Sequence, residues 1–150
     1  MADPVVFKDA FVGITTSTAS TTYTELSGNK DIQMPLSKAE LANSVMGDAA
    51  ETFFPGIMSA PLSLTYRQDF SSATIGVDAL LWGLFNGEKK VKVKIRPVDA
   101  AVSTTNPSYL FNRIYCSSIT PLSGSHGQLL ENKAEFRLLS LGTLTRSTST

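Results

Sequence analysis

Apolar and polar residues alternate along most of this chain in short segments, and Ser, Thr, Gly and Pro punctuate the gaps between them. Strict alternation places one face of a strand in a core and the other in water. The cleanest case covers residues 90–96, with Lys90, Lys92, Lys94 and Arg96 on one face and Val91, Val93 and Ile95 on the other, until Pro97 stops it. A second strand is predicted from Leu62, Leu64 and Tyr66, interleaved with Ser63, Thr65 and Arg67 and continuing towards Phe70. Residues 109–119 predict a third, with Phe111, Arg113 and Tyr115 on one side and Leu110, Ile114 and Cys116 on the other. Residues 134–144 predict a closing strand kinked at Gly142, and residues 5–12 and 31–36 predict two more.

One segment has a different period. Val77, Leu80, Leu81, Leu84 and Phe85 fall at i, i+3, i+4, i+7 and i+8, a single apolar stripe on a helix. Ser72 or Thr74 can cap its start, Asp78 lies in its first turn and Asn86-Gly87 ends it. Trp82 sits roughly 130° from the centre of that stripe at 100° per residue, beside Ile75 and Asp78. A second, shorter signal conflicts with its surroundings. Ser37-Lys38-Ala39-Glu40 has the form of a capping box, Leu36 and Leu41 are spaced as a hydrophobic staple, and Gly47 could close a helical turn. Residues 46–56 show no period and carry Gly47, Pro55 and Gly56, which reads as a long loop, and residues 121–127 read as a turn-rich loop. The Thr/Ser-rich residues 15–24 suit either a polar strand or a mobile hairpin.

These elements predict a mainly β fold, a β-sandwich or barrel of about six to eight strands with one flanking α-helix. A length of 150 residues suits a single domain over residues 1–150, with a polar tail from about residue 146. Thirteen basic residues balance thirteen acidic ones. A protein that grips phosphates needs clustered, uncompensated cations, so this balance argues against a nucleic-acid binder. The same neutrality leaves little self-repulsion between copies. The longest apolar run, residues 79–85, falls far short of the ~20 residues a bilayer requires, so no membrane partner is expected.

Candidates for chemistry are few. His126 is the one histidine, in the loop sequence Ser-Gly-Ser-His-Gly, and no Cys or His lies at ligand spacing from it. Cys116 is the one cysteine, which excludes an intramolecular disulfide, and nothing electropositive surrounds it in sequence. Asp48 and Glu51 lack the dense oxygen spacing of a calcium loop. No phosphate-binding or nucleophile-elbow motif occurs. The expectation is therefore no catalytic residues, no metal and no cofactor. The Lys90/Lys92/Lys94/Arg96 stripe lacks the interleaved aromatics of a base-stacking surface. That leaves a solvated strand face or an ion-pair seam against another subunit.

The order and spacing of several weak motifs resemble the major tail tube proteins of long-tailed, siphovirus-type bacteriophages. They are Leu36-Ser37-Lys38-Ala39-Glu40-Leu41, Met46-Gly47-Asp48-Ala49-Ala50-Glu51, Phe54-Pro55-Gly56 and the strand ending Tyr66-Arg67-Gln68-Asp69-Phe70. The Leu81-Trp82 pair, Ile95-Arg96-Pro97, residues 103–109 and Pro121-Leu122-Ser123-Gly124 extend the likeness over about residues 25–145. The resemblance implies a tail-tube-like β-sandwich and a structural virion protein. Its subunits would self-assemble into stacked hexameric rings through which DNA passes without specific binding. Implied partners are the chain itself and other tail proteins such as a tape measure and a terminator. The implied location is the virion tail, with the host cytoplasm during assembly. Met46, Asp48, Phe53, Phe54, Ile75 and Trp82 are then the expected subunit contacts, and the basic stripe is expected to face outward or into a seam. Rival readings are a tail terminator or neck ring protein, and a carbohydrate-binding β-sandwich module using Phe111 and Tyr115.

Overall fold

The computed structural model describes residues 10–47, 49–70 and 76–149. The amino-terminal part of the strand expected over residues 5–12, the proposed caps Ser72 and Thr74, and the contact candidates Asp48 and Ile75 lie outside the described residues. Within them the chain forms β1 (Phe11–Ile14), β2 (Thr24–Glu25), β3 (Asn29–Gln33), β4 (Ser37–Ala42), β5 (Phe53–Ser59), β6 (Leu62–Arg67), α1 (Val77–Asn86), β7 (Val91–Arg96), β8 (Ser108–Ser123) and β9 (Glu131–Ser147).

Seven strands make one antiparallel sheet in the order β2-β1-β7-β8-β9-β6-β3. The sheet folds over on itself because its two long central strands share a kink. Asn112 pairs with Thr143 and Ile114 with Leu138, so Arg113 alone faces residues 139–142 of β9. Arg113 and Leu141 both take left-handed backbone angles, φ 62° each. A Cβ on Gly142 would lie 2.8 Å from the carbonyl oxygens of Arg113 and Leu139, so only glycine lets the two backbones approach this closely. One half of the curled sheet holds β2, β1, β7, the start of β8 and the end of β9. The other holds the end of β8, the start of β9, β6 and β3.

The two halves close on a common core. Val12, Ile14, Val91, Val93, Ile95 and Phe111 come from one side, and Leu62, Leu64, Tyr66, Ala134 and Phe136 from the other. Helix α1 adds Val77, Leu81 and Leu84, packing chiefly on β8. The predicted stripe holds for Val77, Leu81 and Leu84, with Leu80 packed at the core margin and Phe85 at its partly open edge. Among the described residues no side chain caps the helix start at Gly76. At the other end the amides of Gly87 and Lys89 return to the carbonyls of Gly83 and Leu84, and the left-handed residue is Glu88, φ 48°.

The alternating strands over residues 62–67 and 91–96 appear as expected. Three expectations need correction. The bulge at Arg113 shifts the phase of β8, so Phe111, Ile114 and Cys116 are all buried, and Phe111 is not on the opposite face from them. Residues 37–40 form strand and not a helical turn, because β4 pairs with β5 from Ser37↔Ser59 to Ala42↔Phe53. Residues 46–56 are accordingly not one long loop, since β5 begins at Phe53. The 15–24 stretch contains a turn closed by Ser20 N–H to Ser17 O and ends in the two-residue β2.

Candidate assembly surface

Two of the apolar regions left exposed among the described residues hold the expected contacts. The first is the β4–β5 ribbon. It continues the β3–β6 ladder, but Pro35 and Pro61 stand across from each other at the break, and neither can donate to a ladder. Beyond this break the ribbon leaves the sheet. Every β4 residue is exposed, and in β5 only Gly56 is partly covered. Leu41 stands across from Phe54 on one face of the ribbon, and Ala42 across from Phe53 on the other. Phe53 is 50% and Phe54 58% exposed, and Met46, at the far turn, is fully exposed. An isolated two-stranded hairpin is marginal in water, and one with phenylalanines on both faces calls for a second surface. The second region is the outer side of α1, where Trp82, 51% exposed, lies 6.5 Å from the Phe85 ring. Met46, Phe53 and Phe54 thus share one projection, and Trp82 belongs to a separate patch.

The β3–β6–β9–β8 half of the sheet presents a polar outer wall. Leu62, Leu64, Tyr66, Asn132, Ala134 and Phe136 point inward, so the alternate positions point out. These include Asp31, Gln33, Ser63, Thr65, Arg67, Glu131, Lys133, Glu135 and Arg137. Lys30 bonds to Glu131, which holds the Glu131 carboxyl below its ordinary value, mainly through that hydrogen bond. Basic and acidic groups are close to balanced on this wall. Among the described residues both lateral edges of this half-sheet are open. Of the described strands, β6 alone pairs with β3, and from Tyr115 to Ser123 β9 alone pairs with β8. Neither the edges nor this wall was singled out in the sequence, although the alternation Glu131, Lys133, Glu135, Arg137 against Asn132, Ala134, Phe136 carried the signal.

The basic stripe lies on the other half of the sheet and is half-covered by the chain's own residues. Lys92 Nζ donates to Ser20 O at 3.4 Å, Lys94 Nζ sits 4.5 Å over the Tyr23 ring, and the Arg96 guanidinium sits 4.1 Å over Phe11 while bonding Asp99 and Ala100. Gly13 makes this stacking possible, since a Cβ there would meet Phe11 and Tyr23 at 2.9 Å.

The candidates for chemistry stay apart. His126 is exposed in the β8–β9 turn, Glu51 is exposed in the hairpin, and no cluster of three metal-ligating residues occurs among the described residues. Cys116 is buried, its thiol donates to Ser118 O at 3.4 Å, and burial pushes its pKa up to about 11, the reverse of an activated nucleophile. Phe111 is fully buried, which removes half of the aromatic pair that a carbohydrate-binding surface required. No described helix is long and apolar enough to cross a membrane.

No family model matches the sequence, and no curated protein does. The fold is nonetheless shared with known structures. The SPP1 tail tube protein superposes with a TM-score of 0.74 over 97% of this chain and 80% of its own, at 11% identity. A component of the gene transfer agent tail, an assembly with C6 symmetry, gives 0.67 over 91% and 96%, also at 11% identity. A component of the tube-terminating cap of the anti-feeding prophage gives 0.64 over 99% and 94%, at 12% identity. This chain therefore has the tail-tube fold, which these matches establish for tube and cap components alike.

Proposed function

We propose that this protein is a structural subunit of a phage tail tube, a single tail-tube domain over residues 1–150 that self-assembles into stacked hexameric rings. The observation that carries the reading is the pair of open edges on one half-sheet. From β3 through β6 and β9 to β8 each step is antiparallel, so β3 and β8 run in opposite directions. A neighbouring copy related by rotation about a ring axis would bring its β3 beside this β8 in antiparallel pairing. Such a head-to-tail contact between two different edges closes into a ring when the rotation permits, and closure removes the exposed edges.

Six copies, the symmetry of the gene transfer agent tail, would join four strands each into a barrel of about 24. At ~4.8 Å per strand and ~40° of tilt the backbone circle is roughly 48 Å across, wide enough for a DNA duplex once side chains are added. The wall facing that bore is the polar one. Its mixed charges offer phosphates no uncompensated cationic surface, which suits passage without retention. The basic stripe belongs to the opposite half, towards the outside. The β4–β5 ribbon, with Met46, Phe53 and Phe54, projects where the next ring would stack. Asp48, Ile75 and Trp82 are proposed as further subunit contacts. The protein would work in the virion tail, after assembly in the host cytoplasm alongside a tape measure and a terminator.

Negative-stain microscopy of the purified protein over a range of concentrations tests this. Long tubes with a regular axial repeat are expected. Isolated rings that never stack would favour a terminator or neck role, which the cap structure's likeness makes the second reading. A chain that stays monomeric alone and is also not incorporated when added to tail initiator complexes would defeat both.

A further inference from the structure

We infer that Leu36 is the anchor of the contact between neighbouring copies, seated in a groove at the end of the partner's open β8 edge; the inference rests on the ring reading above. A groove of about 590 Å³ lies where β7 stops alongside β8, lined by Phe85, Asn86, Glu88 and Lys90 from the end of α1 and the following turn, and by Tyr115–Ser117 and Leu139 from β8 and β9. β7 reaches β8 only as far as Val91↔Ile114, so the groove is the first unpaired stretch of that edge. An incoming strand antiparallel to β8 runs in the direction of β7 and must end where β7 begins.

The incoming strand is β3 of the second copy, and its direction fixes what arrives at the groove. Pairing that keeps core-facing residues together sets the second copy's Ile32 across from Ile119, since Ile119 pairs with Ala134 on the inward face and Ile32 packs against the core. Counting antiparallel from that pair, with the bulge of β8 between Cys116 and Ser118 taking up one residue, brings the second copy's Leu36 level with Ile114 and Tyr115, at the inner end of the groove. Within its own chain Leu36 is 51% exposed, just past Pro35, where the strand leaves the sheet. An apolar side chain left outside its own core thus meets an aromatic-lined recess left empty in its neighbour. Lys38 and Glu40 follow Leu36, and Glu88 and Lys90 line the recess, so charges of both signs are available to pair across the seam.

The test uses the full chain with the substitution Leu36→p-benzoylphenylalanine, assembled from a mixture of unlabelled and ¹⁵N-labelled protein, irradiated and mapped by mass spectrometry. Mixed-isotope crosslinks from position 36 to residues 85–90 or 115–117 are expected. Crosslinks in assembled particles that go only elsewhere would overturn the inference while leaving the ring reading intact. In parallel, Leu36→Glu should raise the concentration needed for assembly about tenfold or more, because a half-exposed leucine would lose its burial, with circular dichroism and melting of the monomer unchanged. Assembly of Leu36→Glu at the wild-type concentration would also overturn the anchor. A wild-type chain that forms no rings under any condition would remove the ring reading itself, and this inference with it.

Discussion

The double substitution Phe53→Thr/Phe54→Thr separates what holds the subunit together from what holds subunits to one another. Threonine keeps the strand preference of β5, so the ribbon's backbone is disturbed little. A buried aromatic side chain covers roughly 200 Å². Phe53 and Phe54 stand 50% and 58% exposed, so about 100 Å² of each is open in the single chain. At ~25 cal/mol per Å², covering both in a neighbour contributes about 5 kcal/mol per subunit. Losing that should raise the critical concentration for tube formation by roughly three orders of magnitude. The isolated chain should melt as the parent does, within the ~0.5 kcal/mol usual for surface changes, since neither ring belongs to the core. Sedimentation across a concentration series gives the first quantity and thermal unfolding the second. Tubes at the parent's critical concentration would refute the assignment of the ribbon to the contact. A melting loss matching the assembly loss would show that the ribbon stabilises the subunit itself.

Other outcomes follow from the core and its kink. Tyr66 is fully buried and its hydroxyl has no hydrogen-bond partner among the described residues, so Tyr66→Phe should leave stability unchanged or raise it by about 1 kcal/mol in denaturant unfolding; a clear loss would reveal a partner for the hydroxyl. Gly142→Ala places a Cβ 2.8 Å from two carbonyl oxygens and should cost about 1–3 kcal/mol by the same measurement, where an unchanged midpoint would mean that the bulge relaxes freely. Glu131 is held below its ordinary value of 4.5 by Lys30, so its contribution is complete above that pH and fades as pH falls through the lowered value. Lys30→Ala should therefore flatten stability against pH only on the acid side, and an equal effect at neutral and low pH would rule out this titration as its cause.

Much of the fold was legible because it rests on local periodicity. The alternation over residues 62–67 and 91–96 and the stripe of α1 need only the rule that apolar side chains leave water, and each appears where the pattern put it. The absence of a partner for Trp82 in the helix stripe was likewise readable, and its ring is half-exposed. The β4–β5 ribbon was not legible. Ser37–Ala42 has good helix formers behind a cap-like serine, and the pairing that overrides them comes from residues eleven to twenty-two positions away. The flanking Pro35 and Pro61 were the available signal.

Alternation could predict strands but not where the alternation slips. The bulge at Arg113 and residues 139–142 reverses the facing of half of β8, burying Phe111 with Ile114 and Cys116, and it curls one sheet into two facing halves. No pattern within either strand encodes that, because a bulge satisfies the register of two strands at once. The same holds for the surface that matters most. Which edges stay unpaired, and that they run antiparallel at opposite sides of one wall, depends on the order in which distant strands assemble. The sequence by itself determined which residues seek a core. The tertiary structure decided which of them fail to reach it, because burial within one chain is a sum over all its pairings and the remainder is left for another copy.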